Sequence, residues 1–403
     1  VPRQAGRLSH GDGPARIREV TIVSLHMAKV LSISFSDLGR DPRLSRQINW
    51  MAEEHEVAAA GLGPPSRSDV RFIQIEHTLG GKISKAIRGL KLLGRLNENV
   101  YWSTNGSAFA AVQNERPDLI VANDLDTLPL AVRLAERCSA KVLYDAHEYA
   151  PREFDDSWRW RVFRGPYATA LTRKYVPRAA AHTTVGLAIA EEFATLTGVR
   201  PELITNAPAY NSELSPRPLA ADGTIRLVHH GAAIRGRKIE NMVRLAPLLA
   251  ARFEFNFVLM EHDPAYAAQL KEMAKGQSRT HFLPPSPMAE LPARLNQFDL
   301  GIFLLEPTNF NNKNALPNKF FEFIQGRLGI AIGPTPEMAR IVRETGAGVV
   351  AEDFRPESLA RILNALTPED VMRFKQAAHA AARQYSAESN RERWLAIVGR
   401  VLA

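Results

Sequence analysis

In NALPNKFFEF, from Asn314 to Phe323, a lysine and a glutamate stand three residues apart at the start of an apolar helical run. Pro317 suits the first helical position, where a missing N–H costs nothing. The free N–H groups of a first turn, with the helix dipole, favour an anion, and Lys319 beside Asn318 adds a full positive charge. Glu322 lies one turn further along, and an ionised carboxylate can accept from two neighbouring hydroxyls, as on a ribose. Two readings are open from these residues. One is a nucleoside diphosphate, with phosphates at the helix start and ribose one turn along; the other is an amphipathic helix with a single i,i+3 ion pair.

Three further stretches carry polar groups at the ends of apolar runs. In HHGAAIRGRKIEN (His229–Asn241) a strand pattern ends at Gly231, and Arg235, Arg237 and Lys238 crowd the start of a helix. A glycine lets a ligand approach the backbone, and cations at a helix N-terminus are unfavourable without an anion to neutralise them. The alternative is a basic surface turn. In YDAHEYAPREF (Tyr144–Phe154), Asp145, His147 and Glu148 follow a buried-looking strand. His147 there can donate to developing charge, and Glu148 or Asp145 can act as a base; loop polarity and capping explain the same residues equally well. In NDLDTLP, Asp124 and Asp126 have an Asp-x-Asp spacing that invites a metal, but Pro129 nearby favours reading them as caps of the next helix. No other spacing suits a metal, so no metal site is expected.

The elements that must position these residues follow an alternation of strands and helices. KVLSISF (Lys29–Phe35), HEVAAAGL, DLIVAN (Asp118–Asn123), KVLYDA (Lys141–Ala146), AHTTVG (Ala181–Gly186) and ELITNA (Glu202–Ala207) read as strands. Asp41 and Pro42 cap and open the helix after the first strand, and helices are expected over Leu128–Cys138 and Leu187–Thr197. Residues 207–223, with no periodicity, read as a linker. The alternation then restarts with IRLVHHG, FEFNFVLM, THFLPP, DLGIFLL, LGIAIG and AGVVAE. Strand–helix alternation implies parallel sheets, and the restart implies two such α/β domains, 27–206 and 224–383, with ligands in the cleft at the strand C-terminal ends. Residues 384–403 form a last helix, capped by Ser386, whose Trp394, Ile397 and Val401 share a face that can pack back on the first domain. Residues 1–26 read as an extension, with Met27 a plausible true start.

Composition narrows the function. Among 403 residues the net charge is +8, the single cysteine, Cys138, fits a reducing compartment, and no secretory leader or membrane-spanning run is apparent. The positive charge suits an anionic partner, but no zinc-finger or RNA-binding motif accompanies it, so no nucleic-acid partner is expected. Two basic stretches interleaved with apolar residues, 80–97 and 157–165 (SWRWRVFRG), suit either peripheral membrane contact or ordinary solvated faces.

Taken in order, DPRLSRQ, NDLDTLP, KVLYDAHEY, AHTTVGLAIAEEF, ITNAP, HHGAAIRGRK, ALPNKFFEF and GPTPEMARIV resemble the family-4-type bacterial glycosyltransferases of surface polysaccharide synthesis. The resemblance implies the GT-B fold, two Rossmann-like domains around a cleft, and retaining transfer from a nucleoside diphosphate sugar to a saccharide or lipid-linked acceptor. It also implies no metal or cofactor; a cytoplasmic protein is expected, with peripheral contact on the inner membrane face an open alternative that rests on the two basic stretches. By resemblance, Gly231, Arg237, Lys238, Asn318 and Lys319 hold the phosphates, Glu322 binds ribose, and His147 sits near the sugar and acceptor. The family's Glu-x7-Glu pattern has its first position at Asn314, which keeps the capacity to hydrogen-bond a sugar hydroxyl, and Ala232 stands where an arginine often follows the loop glycine. A nucleotide-sugar epimerase of the same fold and a non-catalytic nucleotide-sugar-binding protein are the alternatives.

Overall fold

The computed structural model describes residues 27–76, 97–288 and 290–403, so the extension 1–26 and nearly all of the basic stretch 80–97 lie outside the described residues. Two parallel sheets organise the chain. The first has seven strands: β1 (Lys29–Ile33), β2 (Glu56–Gly61), β3 (Arg71–Gln74), β4 (Leu119–Asn123), β5 (Lys141–Ala146), β6 (Ala181–Thr184) and β7 (Glu202–Leu203), in the order 3-2-1-4-5-6-7. The second has six: β8 (Ile225–Ala232), β9 (Phe253–Met260), β10 (Thr280–Leu283), β11 (Leu300–Phe303), β12 (Gly329–Ile332) and β13 (Gly348–Val350), in the order 10-9-8-11-12-13.

Both orders reverse direction once, between β1 and β4 and between β8 and β11. A doubly wound sheet opens its crevice at that switch, on the strand C-terminal side. The strands are apolar on both faces because helices cover both. Along β1, Leu31 and Ile33 join one core, while Val30 joins the other with Leu44, Ile48 and Met51 of the helix Pro42–Ala52. That helix starts as its sequence dictates: the Asp41 carboxylate accepts from the backbone N–H groups of Arg43 and Leu44.

Strand β3 and the helix Asn97–Val112 lie outside the series read from the sequence. The strand has only four residues, and Ser103, Thr104, Asn105 and Gly106 blur the helical pattern. The run Glu202–Ala207 pairs only over its first two residues. Beyond them Asn390 of the last helix takes the backbone, its amide donating to the Thr205 carbonyl at 2.9 Å.

The helix Ala387–Leu402 packs on the first domain, with Trp394, Ile397, Val398 and Val401 in the same core as Leu44 and Leu143. Ser386 caps it, accepting from the Ser389 N–H. A second cross-connection comes from the short helix Phe310–Lys313. Phe310 enters the first domain's core, and its N–H donates to Asp155 at 3.1 Å. Among the described residues no helix is long and apolar enough to cross a membrane.

Candidate functional site

Strand β8 carries His230 and Gly231 just before its last residue, Ala232, β9 ends at Met260, and the helix Asn318–Gln325 points its first turn at them. Between these elements lies a cavity of about 440 Å³, lined among others by Arg237, Asn318, Lys319 and Glu322, with Pro42 and Asn206 contributed by the first domain. Gly231 has φ of +116°, a conformation that side-chain-bearing residues rarely adopt. A Cβ there would lie 3.1 Å from the Lys319 Nζ. Glycine is therefore needed both for the turn and for the close approach of the lysine.

Lys319 is buried, at 5 % exposure, and its ammonium has no hydrogen-bond partner among the described residues; it lies 4.5 Å over the Phe303 ring. Burial, with the Arg237 charge beside it, pushes its pKa well below the ordinary lysine value, against the opposing pull of Glu322. The i,i+3 ion pair that the sequence left open is not formed. Glu322 instead faces the His230 Nε2 at 3.4 Å. Burial raises the Glu322 carboxyl to about 7, against the charges of Lys319 and of Arg46 from the first domain. His230 is lowered to about 3 by burial and by Lys319, so it is neutral.

Two sequence candidates lie outside this cavity. Lys238, in a left-handed conformation at φ 47°, turns its Nζ to the Glu306 carboxylate at 2.6 Å. Asn314 is buried at the end of the helix Phe310–Lys313, where its amide donates to the Phe310 carbonyl at 3.0 Å. Its side chain closes that helix. Ala232, at the position of the family arginine, lines the cavity.

On the first domain, β5 carries Asp145 next to its last residue, Ala146, and delivers His147 and Glu148 to the cleft. Asp145 is fully buried, which corrects its reading as a base. Arg43 grips it through two bonds of 2.6 and 2.7 Å, Gln47 donates at 2.7 Å, and the Thr183 hydroxyl donates at 2.6 Å. Burial alone would raise its pKa, but the Arg43 charge and hydrogen bonds hold it well below the carboxylate range. Such a group has no affinity for a substrate proton at neutral pH. Glu148 accepts from the Asn311 amide across the cleft at 2.9 Å. Burial and the nearby Asp124 charge raise its pKa.

The expectation that Asp124 or Asp126 caps the next helix is also corrected. Thr127 occupies the cap without a side-chain cap bond, its hydroxyl donating to the Asn123 carbonyl. Asp124, at φ 63°, accepts from the His147 N–H at 3.0 Å, and Asp126 lies 3.4 Å from Arg164. Among the described residues no group of three or more His, Cys, Asp or Glu side chains is placed to hold a metal ion.

The two halves of the site are continuous. His147 lines a cavity of about 310 Å³ with Glu148, Glu153, Trp160 and Arg164, and a second of about 460 Å³ that runs to Pro42, Asn206 and Asn318. Those last three residues line or border the Lys319 cavity as well. Pro42, Asn206, Arg46 and Asn311 escape sequence reading, since each joins the site only through the packing of one domain on the other.

Residues 39–209 match the glycosyl transferase 4-like domain family. Among solved structures, HepE of Anabaena in complex with UDP is similar over 92% of this chain and 100% of its own, at 12% identity and a TM-score of 0.67. Sucrose-phosphate synthase of Thermosynechococcus elongatus is similar over 93% of this chain and 99% of its own, at 12% identity and a TM-score of 0.69. WaaG, a glycosyltransferase involved in lipopolysaccharide biosynthesis, is similar over 90% and 98%, at 13% identity and a TM-score of 0.59. No curated protein matches the chain by sequence. Residues 39–209 thus match a glycosyl transferase 4-like domain, and the chain as a whole has the GT-B fold.

Proposed function

We propose that the protein transfers a sugar from a nucleoside diphosphate sugar to a saccharide or lipid-linked saccharide acceptor, with retention of configuration. The observation that carries this reading is the Lys319 ammonium, buried without a partner beside a glycine that clears the way to it. A buried cation without a counter-ion is costly, and a diphosphate supplies the missing charge. Lys319, Arg237, Asn318 and the first-turn N–H groups of Asn318–Gln325 bind the diphosphate, and Gly231 admits it. Glu322, one turn along, accepts from the ribose hydroxyls.

As the sugar leaves, charge grows on the diphosphate. These protein cations, with no metal, stabilise it, which supplies the main electrostatic contribution to catalysis. The leaving phosphate takes the acceptor proton, so retention needs no protein base. Were the reaction to invert, Glu148 is the base that remains, since Asp145 is spent on Arg43. His147 faces the sugar and acceptor. Lys238 stays with Glu306 and Asn314 with Phe310, so neither is assigned to the donor.

The acceptor side adjoins a surface suited to an anionic bilayer. Trp158, Phe154 and Val162 are 59, 49 and 48 % exposed, and Arg159, Arg161 and Arg164 surround them. Trp160 and Arg164 of this same stretch line the His147 cavity, so a lipid-linked acceptor passes directly from the surface to the site.

The test is release of nucleoside diphosphate by purified protein across a panel of nucleotide sugars and acceptors. Lys319→Ala and Glu322→Ala are expected to abolish it; wild-type rates from either, with the active donor, overturn the site assignment. Sedimentation with phosphatidylglycerol vesicles checks the surface, with Trp158→Ala and Arg161→Glu expected to lose binding.

A further inference from the structure

We propose that His147 is held as an imidazolium between Asp124 and Asp145, with Arg43 as the positioning residue behind Asp145, so that it serves the reaction as a fixed cation and hydrogen-bond donor. The consequence for catalysis rests on the glycosyltransferase reading; the charge state does not.

The geometry sets the proton count. The Nε2 of His147 lies 3.1 Å from the Asp145 Oδ2, and the Nδ1 lies 3.4 Å from the Asp124 Oδ2. A neutral imidazole carries one N–H and one lone pair, whereas an ionised carboxylate only accepts. With both carboxylates ionised, a neutral ring would set a lone pair against one of them. A ring with two N–H groups satisfies both sides.

Neither carboxylate is suited to carry that proton instead. Both oxygens of Asp145 are occupied by Arg43, Gln47 and Thr183. The Arg43 fork is itself anchored, donating to the Ile204 carbonyl at 2.8 Å and to the Asn206 side chain at 3.1 Å. Asp124 has 51 % of its side chain exposed, and although burial by its surroundings raises its pKa, the His147 charge and the His147 N–H act against that rise. Its left-handed backbone, tolerated by aspartate, lets one oxygen take the His147 N–H while the other faces the ring.

The other charged groups near the ring are Asp126, Glu148, Glu153 and Arg164 in one cavity, and Asp37, Arg40, Asp41 and Arg43 in the other, and the Arg43 charge works against the imidazolium. Burial works against the imidazolium, but the Asp124 charge and the Asp145 hydrogen bond outweigh it and raise the pKa. The looser contact, at Nδ1, is the one a substrate oxygen can share. Arg43 thus has two effects: it keeps Asp145 anionic and removes it as a competing base. His147 cannot take the acceptor proton, because its ring nitrogens already carry theirs.

The test is a titration of the full chain labelled with 13C at histidine Cε1, with the His147 resonance identified by its loss in His147→Gln. In the wild type this histidine is expected to stay protonated at pH 7 and to titrate above the ordinary value of about 6.5. Asp124→Asn is expected to lower it by about one pH unit or more. A neutral His147 at pH 7 in the wild type overturns the proposal without any variant, and so does an unchanged titration in a folded Asp124→Asn. With an active donor, kcat should fall as pH rises through the His147 pKa, and Asp124→Asn should move that limb to lower pH while the affinity for UDP or GDP stays the same. An absence of turnover with every donor would count against the glycosyltransferase reading and leave the titration to decide the charge state.

Discussion

Replacing Lys319 by methionine should make the free protein more stable and the ligand site weaker. Methionine keeps the length and most of the volume of the lysine stem, so the packing changes little. The ammonium it removes is buried and unpartnered, resting only on the Phe303 ring. An unsatisfied buried polar group costs about 1–3 kcal/mol, more when charged, and a ring beneath a cation returns about 0.5–2 kcal/mol. The balance predicts a gain of about 1–2 kcal/mol, and each kcal/mol is worth about 2–4 °C in a domain of this size. The affinity for UDP or GDP, whichever stabilises the wild type more, should drop by the value of one charge-assisted hydrogen bond. That is about 1.5–3 kcal/mol, or roughly a tenfold to hundredfold rise in Kd. Thermal unfolding without ligand gives the first number and calorimetric titration the second. A variant that melts lower than the wild type, or binds nucleotide equally well, refutes the view that this lysine is strained in waiting for an anion.

Glu322→Gln should show its effect in the pH dependence of stability. With a folded-state pKa of about 7 against an ordinary 4.5, the wild type holds a proton that the unfolded chain has lost, so its stability falls as pH rises from about 4.5 to 7, by roughly 3 kcal/mol. Urea unfolding at pH 4 and pH 8 should therefore find the variant favoured only at the higher pH; equal differences at both would contradict the shift. Gly231→Ala imposes a strained φ and a contact with Lys319, and should cost about 1–3 kcal/mol by denaturant unfolding together with a loss of nucleotide affinity. Trp394→Ala empties a fully buried position between the last helix and the first domain and should destabilise by about 3–5 kcal/mol, with hydrogen exchange rising in Ala387–Leu402.

Much of this protein is legible in its sequence because the relevant forces are local. The strand KVLYDA and the helices Leu128–Cys138 and Leu187–Thr197 match their predicted limits, since periodicity and flanking turns are properties of short windows. The Asp41 cap and the restart of the strand–helix alternation after the linker belong to the same class, and they suffice for two parallel α/β sheets. The cavity at Lys319 is partly legible: Gly231, Arg237, Asn318, Lys319 and Glu322 stand where their own strand ends and helix starts place them, and all five meet.

Only the tertiary structure decided which charges are free. The sequence places Asp145 and Glu148 three residues apart as equivalent acids, but Arg43, 102 residues away, takes one of them out of acid–base chemistry. Lys238 sits beside Arg237 in the chain, yet a left-handed backbone turns it to Glu306. Asp124 has the spacing of a cap and becomes the partner of His147. An ionisable side chain reports its chemistry through its nearest opposite charge and its access to water, and both are set by contacts between segments far apart in the chain. Sequence by itself determined the scaffold and the residues that its turns expose; the packing of one domain against the other determined which of them remain able to act.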